Sequence, residues 1–241
     1  VVDAYNGTVD FYLADPEDPI SRAWQRAYPK LIKAFEEIPP DLRPHLRYPR
    51  DLFDIQLQIY NKYHQIREEE FYNQEDLWEF PTIEQEQKSI RLGPQYLTLN
   101  IIEPDQSDFV LLAALTPRAR SNLRALMVAG CDGPNYGRLI VYSFPKGSLV
   151  YGPTQVNALI NQDPVISQQF TLWDQMGSRV ERGKMVILPV AGSILYIQPI
   201  YLKAAGGLRI PQLKRIIVSK DSVVVMEPSL EEGLISRSEE R

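Results

Sequence analysis

"YPRDLFDIQLQIYNKYHQI", residues 48–66, fits two periodicities at once. Phe53, Ile55, Leu57 and Ile59 alternate as a half-buried strand would. Leu52, Ile55, Ile59, Tyr63 and Ile66 fall on one helical face. The pattern is long and follows a proline start, which predicts a helix. The helix reading makes residues 17–80 a helical block, and with it the chain divides into a helical part and a strand-rich part.

Upstream, "ADPEDP" places Asp18 as an N-cap with Pro19 at the first helical position. Ile20, Ala23, Trp24, Ala27 and Tyr28 then recur at helical spacing, and Pro29 kinks or restarts the helix. Leu31, Ala34, Phe35 and Ile38 continue the stripe to "IPPDLRP". Further upstream, "VVDAYNGTVDFYL" opens the chain. Asn6-Gly7 between alternating apolar runs predicts a type I′ hairpin, here expected to join the main sheet. Asn6-Gly7-Thr8 also matches the glycosylation sequon, but turn chemistry accounts for the same residues.

Downstream, the pattern changes near residue 88. "QYLTLNII", "DFVLLAAL", "RLIVYSF", "KMVILPV", "ILYIQPIYL", "KRIIVS" and "SVVVME" are β-type runs. Turn signals such as "EPDQSD", "FPKG", "AGS" and "SKDS" separate them. Helices are predicted at 118–129 and 154–175. Short connections favour antiparallel pairing. The expected fold is α+β, with a mainly antiparallel sheet in the C-terminal two-thirds and a helical layer from residues 17–80. Trp24, Phe35, Ile55 and Ile59 are the expected contacts of that layer with the sheet. Residues 1–229 are read as one domain, helix-rich over 17–80 and strand-rich over 88–227, with 230–241 a frayed polar tail.

The chain has 241 residues, 44% apolar and 24% charged, enough to bury a sizeable core. Its net charge of -5 argues against general nucleic-acid binding, which needs many cations to displace counterions. No apolar run is long enough to span a membrane. The first residue is Val, and an excised fragment is the expectation.

The densest chemistry lies in "NQDPVISQQFTLWDQMGSRVERGKMVILPV", residues 161–190. Asp163 reads as an N-cap, Pro164 as the first helical residue, and Gly177 as the C-terminal positive-φ position. Ile166, Phe170 and Trp173 share a core face. Hairpins are expected at Arg182-Gly183-Lys184 and at Ala191-Gly192-Ser193. Asp174 and Arg179 sit where they can pin this corner or bind a polar ligand, with the structural role the commoner outcome.

Other constellations are sparse. His45 has no His, Cys, Asp or Glu at i+4 and His64 has Glu68 alone, with no second His or Cys beside it, so no metal motif forms. Cys131 is a lone cysteine of the small packed kind. The acidic loops lack the spacing and central glycine of an EF-hand. No P-loop, nucleophile elbow or dinucleotide fingerprint occurs. No cofactor and no metal is expected.

Several long stretches, in order, resemble one family: "VVDAYNGTVDFYLADPEDPISRAW", "PPDLRPHLRYPRDLFDIQLQIYNKYH", "FYNQEDLWEFP", "NYGRLIVYSFPKGSLVYGPTQVNALINQDPVISQQFTLWDQMGSRVERGKMVILPV" and "SILYIQPIYL". The family is uncharacterised protein family number 182 of the UPF series, large multi-pass bacterial membrane proteins. The resemblance runs from the first strand to "MEPSLEEGL". It implies about seven membrane helices upstream, followed by a soluble region of which this chain is the C-terminal part. With an odd helix count and a cytoplasmic N-terminus, that region is extracytoplasmic at the cell membrane. "HLRYPRDLF" and "TLWDQMGSRV" look like family signatures, which makes Arg47, Asp51, Asp174 and Arg179 the binding candidates.

The expected function is an interaction or scaffold module. The expected partners are the membrane helices and preceding soluble region of its own full-length chain, together with other envelope proteins, and the fragment itself is expected to be largely monomeric. The alternative is an envelope hydrolase or transferase acting on a polar substrate.

Overall fold

A computed structural model describes residues 1–85, 88–103, 105–145, 147–175, 177–190, 192–204 and 210–239. The chain is α+β with mainly antiparallel sheets. It divides into a unit of Val1–Arg47 with Asp132–Pro134, and a larger unit of Tyr48–Cys131 with Asn135–Arg241.

In the smaller unit, Asp18 caps helix α1 (Pro19–Ala27), its carboxylate accepting from the N–H groups of Ile20 and Ser21. The helix ends before Pro29. The apolar stripe beyond does not continue it: Ile32–Ala34 is a short strand β2, paired in parallel with β1 (Phe11–Leu13), and Phe35–Glu37 is a 3-10 turn. Trp24 is exposed and stacks on Tyr28 at 5.7 Å rather than entering a core. The opening hairpin reduces to one bridge, Val2↔Val9, and its neighbour β1 pairs with β2 rather than with a large sheet. Gly7 has φ 72 but Asn6 is not among the positive-φ residues, so the turn is not type I′. The Asp3 carboxylate ties it instead, accepting from Tyr5 and Asn6.

The larger unit opens with α2 (Arg50–Tyr63) and α3 (Glu68–Asn73). Its strands are β3 (Trp78–Glu79), β4 (Thr82–Gln85), β5 (Lys88–Arg91), β6 (Gln95–Leu99), β7 (Asp108–Pro117), β8 (Ala125–Gly130) and β9 (Leu139–Ser143). Then come α4 (Pro153–Gln162), α5 (Pro164–Gln175), β10 (Ser178–Arg182), β11 (Val186–Val190), β12 (Ser193–Ala204), β13 (Gln212–Lys220), β14 (Val223–Glu227) and α6 (Leu230–Glu239).

One sheet runs β3-β7-β8-β9, with β6 also on β7; the other runs β10-β12-β13-β14, with β11 also on β12. Strands β4 and β5 form a separate hairpin. The centre is β7, whose residues alternate between two cores. Val110, Leu112 and Ala114 join the second sheet, α4 and α5 in one apolar cluster. Leu111, Ala113 and Leu115 join the other cluster, with Phe53 and Leu57 of α2. Both faces are covered, so β7 and β8 are continuous apolar runs rather than alternating ones. That is why Ala125–Gly130, which overlaps the end of the stretch expected to be helical (118–129), is a strand: all six residues are buried between two layers.

Within residues 48–66 the helix forms as expected, over Arg50–Tyr63, but the buried face is a different one. Phe53 and Leu57 are fully buried, whereas Leu52, Ile55, Ile59 and Tyr63 are 42%, 54%, 50% and 63% exposed. Ile55 and Ile59 therefore do not make the expected sheet contact. The tail read as frayed is helical in α6. Its first turn is capped by Ser229 Oγ, which accepts from Glu232 N–H, and Gly233 sits against Val218 of β13.

The expected hairpin at Arg182-Gly183-Lys184 is not one. Strands β10 and β11 both pair with β12, end to end along one edge. Residues 183–185 are a break in a single line of strand. Gly183 N–H donates to Pro199 O at 2.8 Å. A strand residue's N–H and C=O point to the same neighbour, so the N–H that Pro199 lacks would face this break. Proline is tolerated mid-strand for that reason. Beyond the break, Val190 at the end of β11 pairs with Ser193 at the start of β12. Pro104, Lys146 and Ala191, which belong to three of the expected turns, lie outside the described residues.

Candidate binding cleft

Helix α5 ends at Gln175, and Gly177, with φ 79, reverses the chain into β10. Asp174 Oδ1 accepts from Val180 N–H at 2.8 Å, locking this corner. The Asp163 carboxylate starts α5 by accepting from Ile166 N–H at 2.9 Å. Ile166 and Trp173 enter the core, and Phe170 packs half-buried against it. These anchors leave an open cleft of about 650 Å³ between the β4–β5 hairpin, α4, α5 and β10.

Glu84, Gln85 and Lys88 come from the hairpin, Asn161 from α4, Phe170 and Asp174 from α5, and Ser178, Arg179, Val180 and Arg182 from β10. Arg182 is held by three carboxamides. Its Nη1 donates to Asn161 Oδ1 at 2.7 Å, its Nη2 to Asn157 Oδ1 at 2.8 Å and to Gln198 Oε1 at 2.8 Å, and its Nε to Gln198 Oε1 at 3.2 Å. Asn157 and Gln198 are both buried. Each is held in turn: Asn157 Nδ2 donates to Glu84 O and Gln198 Nε2 to Gly183 O. The guanidinium lies 5.9 Å from the Phe170 ring centre. A cation held in this way is fixed in place before any ligand arrives.

Of the four residues singled out in the sequence, the fold brings Asp174 and Arg179 to this cleft. Asp51 is exposed in the first turn of α2, where a carboxylate favours the helix dipole. Arg47 ends the smaller unit. Neither lines the cleft. Arg182, Asn157, Asn161 and Gln198 were missed. Two signals mark them: Asn157 and Asn161 are four apart on α4, and Gln198 occupies an inward position of β12 between buried Tyr196 and Ile200.

Elsewhere, His64 stacks on Trp78 at 3.8 Å and its Nδ1 lies 3.0 Å from Tyr60 O. Cys131 is buried. Among the described residues no three His, Cys, Asp or Glu side chains gather to hold a metal. No helix among them is long and apolar enough to cross a membrane.

Fold and cleft together define an α+β domain with a preorganised polar recess. The chain belongs to the uncharacterised protein family UPF0182, whose model matches residues 1–173. A UPF0182 protein of Syntrophobacter fumaroxidans is 55% identical over 97% of this chain and 27% of the relative. One from Nitrosococcus oceani is 53% identical over the same shares, and one from Synechococcus sp. is 48% identical over 97% and 28%. The chain thus spans about a quarter of the length of these relatives. No solved structure matches.

Proposed function

We propose that this chain is an interaction module on the extracytoplasmic side of a multi-pass membrane protein, docking onto the rest of that protein. The observation that carries the reading is the outward face of α2. Leu52, Ile55, Ile59 and Tyr63 form an apolar stripe, exposed on a helix whose opposite face is packed. Contiguous exposed apolar surface of this kind marks interaction sites. Relatives nearly four times as long supply ample chain to cover it. The membrane location comes from the family resemblance and the orientation from its implied helix count.

An envelope hydrolase or transferase is the second reading, favoured by the convergence of Asp174, Arg179 and Arg182 on one cleft. Against it, the Asp174 carboxylate is already engaged by the Val180 N–H.

The test is photo-crosslinking from position 55 or 59 in the full-length protein in its own membrane. Cross-links within the same chain are expected. A membrane-impermeant thiol reagent on a Tyr5→Cys variant reads orientation in intact cells, since Tyr5 is 95% exposed. Labelling only after lysis would overturn the outward placement.

A further inference from the structure

We infer that helix α1 docks on the surface of an anionic lipid bilayer, its apolar face entering the headgroup region. This goes beyond the interaction reading, which rests on α2.

The helix is turned inside out. Ile20, Ala23, Trp24 and Ala27 fall within about 100° of its circumference at about 3.6 residues per turn. All four are exposed, and the half-buried residues of α1 are the polar Ser21 and Gln25. Ile20 and Trp24 are more than half exposed, and Tyr28 extends the same face by stacking on Trp24. An apolar helix face turned to solvent marks a contact surface.

Charge selects what covers it. Residues 19–31 hold Arg22, Arg26 and Lys30 but no Asp or Glu, in a chain whose net charge is -5. Among the described residues none forms an ion pair with any of the three. The carboxylates of Asp15 and Asp18, just before the helix, are engaged by backbone N–H groups. Unpaired cations beside exposed apolar groups fit a partner that is anionic and apolar at once. A bilayer containing anionic lipid offers both, phosphates at its surface and acyl chains beneath. Trp and Tyr suit that boundary because each joins an apolar ring to a polar tip. Arg and Lys suit it because an apolar stem carries the charge to the headgroups. A nucleic acid would meet the cations but leave Ile20 facing water.

The test is co-sedimentation of the 241-residue chain with vesicles of phosphatidylcholine and phosphatidylglycerol, against phosphatidylcholine alone. Binding to the anionic vesicles is expected to be at least about fivefold tighter, the worth of one cation at such a surface. Trp78 and Trp173 are buried, so a blue shift of the emission on binding reports on Trp24. Trp24→Ala should weaken binding at least about tenfold, through the lost apolar burial. Arg22→Gln combined with Arg26→Gln should erase most of the difference between the two vesicles. No residue of α1 is buried, so the thermal melts of these variants should stay in place. Ile59→Ser should bind as the parent does, which separates this surface from the α2 stripe. Absence of binding, as when protein rather than lipid covers α1, would overturn the proposal. So would equal binding to both vesicles, indifference to the α1 variants, or loss of binding in Ile59→Ser.

Discussion

Arg182 and Gln198 meet across the β10–β12 ladder through two hydrogen bonds, Nη2 and Nε of the arginine both donating to Gln198 Oε1 at 2.8 and 3.2 Å. The contact sits where the edge strand breaks, and Gln198 Nε2 closes the other side by donating to Gly183 O. One buried amide thus seals the gap in the sheet and orients the cleft's central cation.

Removing that cation should therefore destabilise the fold. Arg182→Met leaves the buried acceptors of Asn157 and Gln198 without this donor, and an unsatisfied buried polar group costs about 1–3 kcal/mol. A loss of about 2–4 kcal/mol is expected in urea unfolding. A change below about 0.5 kcal/mol would show that the network does not support the corner.

Gly183→Ala should also destabilise, by about 1–3 kcal/mol. The reason is space, since Gly183 is not among the positive-φ glycines. An added Cβ would lie 2.7 Å from Pro199 Cγ and 3.0 Å from Tyr201 Cε2. Thermal melts of Gly183→Ala beside Gly93→Ala, where nothing lies within 4 Å, separate crowding from a general glycine effect.

The two faces of α2 should respond oppositely to truncation. Phe53→Ala removes a fully buried ring and should cost about 3–5 kcal/mol. Ile55→Ala and Ile59→Ala should each change stability by less than about 0.5 kcal/mol in the isolated chain. Comparable losses at Ile59 and Phe53 would reverse the assignment of faces.

Why the sequence misled about that face is instructive. Residues 48–66 carry two apolar stripes, and Leu52, Ile55, Ile59 and Tyr63 form the more regular one. Periodicity identifies a helix, but only tertiary packing chooses between two greasy faces. Residues 118–129 failed for a related reason: Ala, Leu and Met favour helix locally, and burial between two layers overrides this in β8. The caps at Asp18 and Asp163 were legible because a cap is a local device. Asp174 and Arg179 were legible from one corner, whereas Arg182 gains its setting from α4 and β12, which only the fold brings together.

Stability should fall in alkali. Burial raises the pKa of the Tyr196 phenol, and burial likewise raises those of Tyr48, Tyr136 and Tyr142. The unfolded chain releases these protons near pH about 10, while the folded chain keeps them. Above that pH the unfolded state binds fewer protons, so the contribution, complete below it, is lost as pH rises toward the folded value. Tyr196→Phe should shallow the decline by about one proton. It should also cost about 1 kcal/mol at neutral pH, because Tyr196 Oη donates to Tyr151 O at 2.5 Å. Urea midpoints at neutral and alkaline pH measure both; an unchanged alkaline slope would exclude Tyr196 from the effect.

Thiol labelling of Ile59→Cys tests the docking role of α2 most directly. Cys131 is buried, so the introduced thiol is the accessible one in this chain. In the isolated 241 residues it should react at nearly the rate of a free thiol, since Ile59 is 50% exposed. In the full-length protein, with cysteines elsewhere replaced, labelling should slow by about tenfold or more as the stripe is covered. Equal rates in the two would contradict the proposal that α2 is a contact surface.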